Sequence, residues 1–285
     1  MDAYAHATEM PWVWAGLAAY AVATYYAIRG VGLAKVGTAT ALSNRNYEYF
    51  ILFAIVLGVA FFTIGLAVRW DRIGHGPFVN LFELLVSQLF SLGLIYALVY
   101  WRYPKARGSA AVAMPLMWIL GTWVLTLEPA DSRFPPTYAN DWLWAHVGFG
   151  KVFLSFCLVA TGFAGIIILR KYAPFQRLFK ALPDNPVLDH LAWRFMLLCF
   201  IFHSLMLIAG AVWAQDAWGR YWAWDALETS SFLTWLAAGA AIHARITYKV
   251  PHRLGAWFIL TIFIVAFLTY FGTPFYSEAA HKGVI

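Results

Sequence analysis

Charge is what this sequence has least of. Only 12% of its 285 residues are Asp, Glu, Lys or Arg, where an ordinary soluble domain carries about 25%. Hydrophobic residues make up 62% and come in long blocks, each near the ~20 residues that cross a bilayer as a helix. Length alone would allow one or two soluble domains, but the block pattern leaves no room for one. Cysteine is nearly absent. Cys157 and Cys199 both lie inside apolar blocks, and there is no CxxC, which excludes a dithiol redox motif and a covalent haem-attachment motif in this chain. P-loop, HExxH and GxSxG signatures are missing as well. The N-terminus has no basic stretch ahead of its first apolar block and does not read as a cleaved signal peptide.

Eight apolar blocks are present: Trp12–Leu33, Tyr49–Val68, Phe78–Tyr100, Ala110–Leu127, Ala145–Leu169, Leu191–Trp213, Ser230–Thr247 and Leu254–Phe271. Open sheet edges cannot be satisfied in lipid, so the expected fold is all-α: one polytopic transmembrane bundle of about eight helices over residues 1–285. The net charge of +6 does not point to nucleic acid. Its basic residues sit in short loops, where membrane topology explains them. With the N-terminus outside, fourteen of the 20 Lys and Arg fall on inner ends and loops. Most acids fall outside. Both termini are then extracytoplasmic, in a multi-pass protein of a bacterial-type inner membrane.

The densest chemistry lies in the outer segment 213–229, WAQDAWGRYWAWDALET. An aromatic belt at the membrane interface explains tryptophan enrichment. It does not explain Asp216, Arg220, Asp225 and Glu228 woven among Trp213, Trp218, Tyr221, Trp222 and Trp224 at a helix break. A platform for a flat, apolar, anionic ligand does, with Arg220 placed to meet a carboxylate, and porphyrin has that shape. Histidine is an expected axial ligand of haem iron. His146, at the outer start of the fifth helix, and His281, in the outer tail, should share the depth of this segment and flank one haem b. His203 and His243 lie inside the sixth and seventh helices, at depths read as the inner half of the bilayer. They form a candidate pair for a second, transmembrane haem b. Arg69, Arg72 and Lys151 are outer cations that could pair with haem propionates or with nearby acids. His75 reads as part of a tight turn, and His6, His190 and His252 as loop or interface residues.

At this point the run GAVWAQDAWGRYWAWDALETSSFLTWLAAGAAIH resembles the tryptophan-rich WWD signature of haem-handling proteins, and within them the CcsA/ResC type of the system II cytochrome c synthase (haem lyase). GHGPFVNLFELL is similar to that family's GH-x-P-x-x-N-x-x-E segment. LWAHVGFGKVFLSF is similar to its helix carrying the first outer haem-ligand histidine, and His281 stands where the second is found. The resemblance implies that His146 and His281 ligate the outer haem, that the segment from Trp218 to Glu228 is its platform, and that His243 matches a transmembrane haem ligand. It also implies a CcsB/ResB-like membrane partner and an apocytochrome c substrate. His203 departs from the family pattern, where an apolar residue is expected.

Three functions follow as expectations. The first is a protein that presents haem for covalent attachment to the CxxCH of an apocytochrome c. The second is a di-haem b subunit of a respiratory complex, carrying electrons between quinone and an outer cytochrome c. The third is a haem-sensing membrane protein without catalysis.

Overall fold

The structure is a computed structural model that describes residues 7–34 and 45–275. Among the described residues there is no strand, and nine α-helices account for the architecture. They are α1 (Met10–Gly32), α2 (Arg45–Ile73), α3 (Leu81–Arg102), α4 (Ala110–Val124), α5 (Asp141–Leu169), α6 (Ala173–Leu178), α7 (Asn185–Trp218), α8 (Ala226–Thr247) and α9 (His252–Phe267). A π-helical stretch, Leu268–Gly272, extends α9. All but α6 coincide with an expected apolar block. α6 is a single short helix in the basic loop after α5.

Five of these elements are long and apolar enough to cross a membrane, and the chain is a multi-pass membrane protein. Three expected spans fall short for separate reasons. α4 has only 15 residues, about 22 Å of helix, and Pro115 lies inside it. α1 and α8 have the length, but Tyr, Trp, Ser and Thr dilute their apolar character.

The bundle has two ends. Helices α3, α5 and α8 begin at one end, and α2, α4, α7 and α9 finish there. The starts of α3, α5 and α8 each carry a cap that meets otherwise orphaned backbone N–H groups. Asn80 and Glu83 form a reciprocal capping box on α3. Asn140 caps α5 through the Trp142 N–H at 2.7 Å. Asp225 caps α8 through the Glu228 N–H at 2.8 Å. α7 stops at Gly219, whose φ of +73° is the left-handed conformation that glycine adopts without steric cost.

α5 and α7 form the most extensive helix pair. Their shared face, with α3, α4 and α9, supplies most of the hydrophobic core, including Phe153, Leu154, Phe163, Met196 and Cys199. Both cysteines are buried and free.

A buried ion network ties the same end together. Arg69 of α2 is 1% exposed and bridges Glu9 and Glu83, with further bonds to the Pro129 and Ala130 carbonyls. Arg72 adds Glu9 and Asp131. Ser132 donates to Glu83 at 2.6 Å. These bonds clamp the 128–135 loop over the bundle. At the opposite end, Asp189 of α7 receives Arg245 of α8 and faces His252 of α9.

Candidate functional site

A cleft opens at the capped end, between the starts of α5 and α8 and the finish of α7. It holds ≈ 1090 Å³ of empty space, part of it open to the surroundings. His146, Tyr138, Trp213, Trp222, Glu228 and Ser231 are among its walls.

His146 stands one and a half turns into α5, against α7. Its Nδ1 lies 2.8 Å from the Met206 carbonyl oxygen. A carbonyl only accepts, so Nδ1 carries the proton and Nε2 carries the in-plane lone pair. A second-shell carbonyl commonly orients a metal-binding histidine in this way. The ring approaches so closely because α7 has Gly210 at the contact. A Cβ there would lie 2.6 Å from Nδ1. On its other side the imidazole stacks on Trp213, with ring centres 6.1 Å apart and planes at 25°.

Trp213 is buried and fixed by its indole N–H, which donates to the Thr137 carbonyl at 2.9 Å. Trp218 packs against it at 4.9 Å and Tyr138 edge-on at 5.6 Å. Burial pushes the Tyr138 phenol up, which keeps it a neutral O–H donor at the cleft.

The tryptophan-rich segment is therefore not one flat surface. Trp213 and Trp218 form a rear wall, while Tyr221 and Trp222 line the mouth. Trp222 packs edge-on against Trp224 and Phe232, and its indole N–H is buried without a partner among the described residues. Trp224 is 68% exposed and has a φ of +58°, which is strained for a bulky residue. Asp225 and Glu228 hold that turn. Asp225 caps α8, and Glu228 accepts the Ala223 N–H at 2.6 Å. Asp216 accepts from Asn140, linking the ends of α7 and α5. Arg220 is exposed beside the mouth.

His203 is 1% exposed and stacks on Phe153 at 4.1 Å. Its Nε2 lies 3.2 Å from the Ser231 hydroxyl, and its Nδ1 has no partner among the described residues. Ser231 is also a wall of the cleft, so His203 lies just behind the cleft floor. His243 is elsewhere. It is exposed on α8, twelve residues beyond Ser231, about 18 Å along the helix axis. Two axial ligands must meet one iron, so the expected inner pair of His203 and His243 is not formed. His203 sits one turn below Met206, close under His146. His281 lies outside the described residues.

Other expectations resolve simply. Arg69 and Arg72 are committed to Glu9, Glu83 and Asp131 rather than to the cleft. Both ring nitrogens of His75 face main-chain carbonyls, of Gly76 and Ser132, and the ring stacks on Phe134 at 5.0 Å. Two contributors escaped the sequence, the Met206 carbonyl and Ser231. The first has no side-chain signal at all, and the second is one of several hydroxyls in α8.

The cleft fits a flat aromatic ligand bearing a metal. It has a histidine of fixed tautomer, indole walls and few polar groups, each placed at an edge. A model of the cytochrome C assembly protein family matches residues 78–281. The chain is 29% identical over 271 residues to the cytochrome c biogenesis protein CcsA of Prochlorococcus marinus (strain MIT 9515), covering 85% of this chain and 86% of that one. It is 30% identical over 244 residues to the protein of the same name from Chlamydomonas reinhardtii, covering 80% and 67%. Among solved structures, one titled Cytochrome c Heme Lyase CcmF superposes with a TM-score of 0.62 at 16% identity, over 91% of this chain and 46% of that one. That likeness speaks for the fold alone. The family match runs from the turn before α3 to beyond α9 and takes in the whole cleft: the chain belongs to the cytochrome c assembly protein family.

Proposed function

We propose that this protein holds haem b in the cleft on the extracytoplasmic side of the membrane and presents it for covalent attachment to the CxxCH of an apocytochrome c. His146 is one axial ligand in this reading and His281 the other. The porphyrin lies along Trp213 and Trp222, and Arg220 stands exposed beside the mouth. A CcsB/ResB-like membrane protein is the expected partner. Haem is cargo here. The chain's residues bind it, orient it and keep it from water, and the thioether bonds come from haem vinyls and substrate thiols. One histidine gives way when the substrate's own histidine arrives.

The observation that carries the reading is His146. Its proton is fixed on Nδ1 by the Met206 carbonyl, so its lone pair is on Nε2, in a histidine that lines an aromatic cleft. The relatives' printed names, cytochrome c biogenesis proteins, support the same direction.

The test is c-type cytochrome yield in cells carrying His146→Ala or His281→Ala, with the absorption spectrum of the purified chain beside it. Both variants should lose most mature cytochrome c and most bound haem. Normal yield in both would sink the proposal. A wire of two haems across the membrane gains no support from the geometry, since His203 and His243 do not converge.

A further inference from the structure

Haem b bears its two vinyl groups on one side of the porphyrin and its two propionates on the opposite edge. An apocytochrome reaches the vinyls from the water. The propionates of a haem presented that way turn inward, into the bundle. Carboxylates entering an apolar interior need a cation to meet them.

α5 supplies one. Lys151 lies five residues beyond His146, about 7.5 Å deeper along the helix axis, and is partly buried. Its Nζ donates to the Ser87 hydroxyl of α3 at 2.8 Å. Ser87 in turn donates to the Glu83 carbonyl at 2.6 Å. Among the described residues no carboxylate lies within ion-pair distance of Lys151. An ammonium has three donors, and one hydroxyl meets one of them. An ionisable group inside a membrane-spanning helix is costly and marks function. Arg69 and Arg72, the other cations at this end of the bundle, are already paired with acids.

Lys151 is also next to the cleft. Val147 and Gly150, one turn and one residue before it on α5, line the cleft wall, as does Leu84, one turn before Ser87 on α3. The lysine stem is flexible and its charge compact, so Nζ can turn from Ser87 toward a ligand on that wall.

We propose that Lys151 is the propionate anchor of this site. Its ammonium pairs with a haem carboxylate and so decides which edge of the porphyrin faces outward. The proposal rests on the haem-presenting reading above.

The test is an absorption titration of the purified full chain with ferric haem b and with its dimethyl ester, which has the same ring and no negative charge. In Lys151→Met the diacid-to-diester affinity ratio should fall about tenfold or more, as expected for one lost charge-assisted pair, while diester binding holds. Lys151→Arg should keep the ratio. Ser87→Ala should keep it too, because Ser87 is only the resting partner. If Lys151→Met weakens both forms alike, or leaves the ratio unchanged, Lys151 is a packing residue and the proposal is wrong. If the unmodified chain binds neither form, the haem-presenting reading itself falls.

Discussion

Gly210→Ala should damage the site without removing any group that touches a ligand. The added Cβ would stand 2.6 Å from His146 Nδ1 and 2.8 Å from its Cε1. Carbon contacts settle at about 3.5–4.0 Å, so the imidazole must retreat by roughly 1 Å. The 2.8 Å bond to the Met206 carbonyl cannot survive that movement intact. Its loss costs about 1 kcal/mol, and crowding a packed contact adds about 1–3 kcal/mol. Exchanging glycine for alanine inside a helix returns about 0.5–1 kcal/mol, so the fold survives with a modest loss. Ligand binding suffers more. With its proton no longer pinned, the ring loses both tautomer and aim, and losing such an orienting partner costs about 10–100-fold in metal affinity. Haem titration of the purified variant measures this. Gly148→Ala is the control: it lies on the same helix as His146, with no atom within 4 Å of the added Cβ, and should bind like the parent. A Gly210→Ala variant with unchanged affinity and spectrum would show that His146 is not the oriented ligand described here.

The buried ion network and the topology give two further expectations. Arg69→Met strands the fully buried Glu83 without its cation and leaves Glu9 with Arg72 alone, and should cost about 3–5 kcal/mol, seen as a large drop in thermal unfolding temperature. Arg72→Met loses the 61% exposed Asp131 and leaves the buried Glu9 still paired with Arg69, so it should cost no more than about 1 kcal/mol, and equal losses for the two would refute the assigned roles. In a Cys157→Ala, Cys199→Ala background, a membrane-impermeant maleimide should label Arg133→Cys in intact cells and Lys180→Cys only after permeabilisation. The reverse pattern would put the cleft on the cytoplasmic side.

The helices were legible because they come as apolar blocks near the length that crosses a bilayer, whereas the starts set by the caps Asn80, Asn140 and Asp225 lie three or four residues from the edges of those blocks. Pairing between helices was not. Arg69 meets Glu9 from 60 residues away, and nothing local in either segment announces the other. The two inner histidines show the same limit. Sequence places His203 and His243 inside helices, but their heights depend on how α7 and α8 slide past each other. That offset is set by side chains such as Ser231, which meets His203, and Ser204, which accepts from the Trp235 indole, and these look ordinary in sequence. His146 was visible as a candidate; its orientation was not, because the group that orients it is a main-chain carbonyl, present at every residue.

The α5–α7 pairing also bears on when the protein becomes able to bind. His146 is made early, whereas the carbonyl that aims it belongs to Met206 and the cleft floor to Ser231. Roughly eighty-five residues separate His146 from Ser231, which a ribosome adding about 5–20 residues per second takes roughly 4–17 s to supply. During that interval α5 is in place with its histidine unaimed. On the proposed haem-presenting role, a half-made chain is a poor trap for free haem, and affinity arrives only when nearly all of the chain has been inserted.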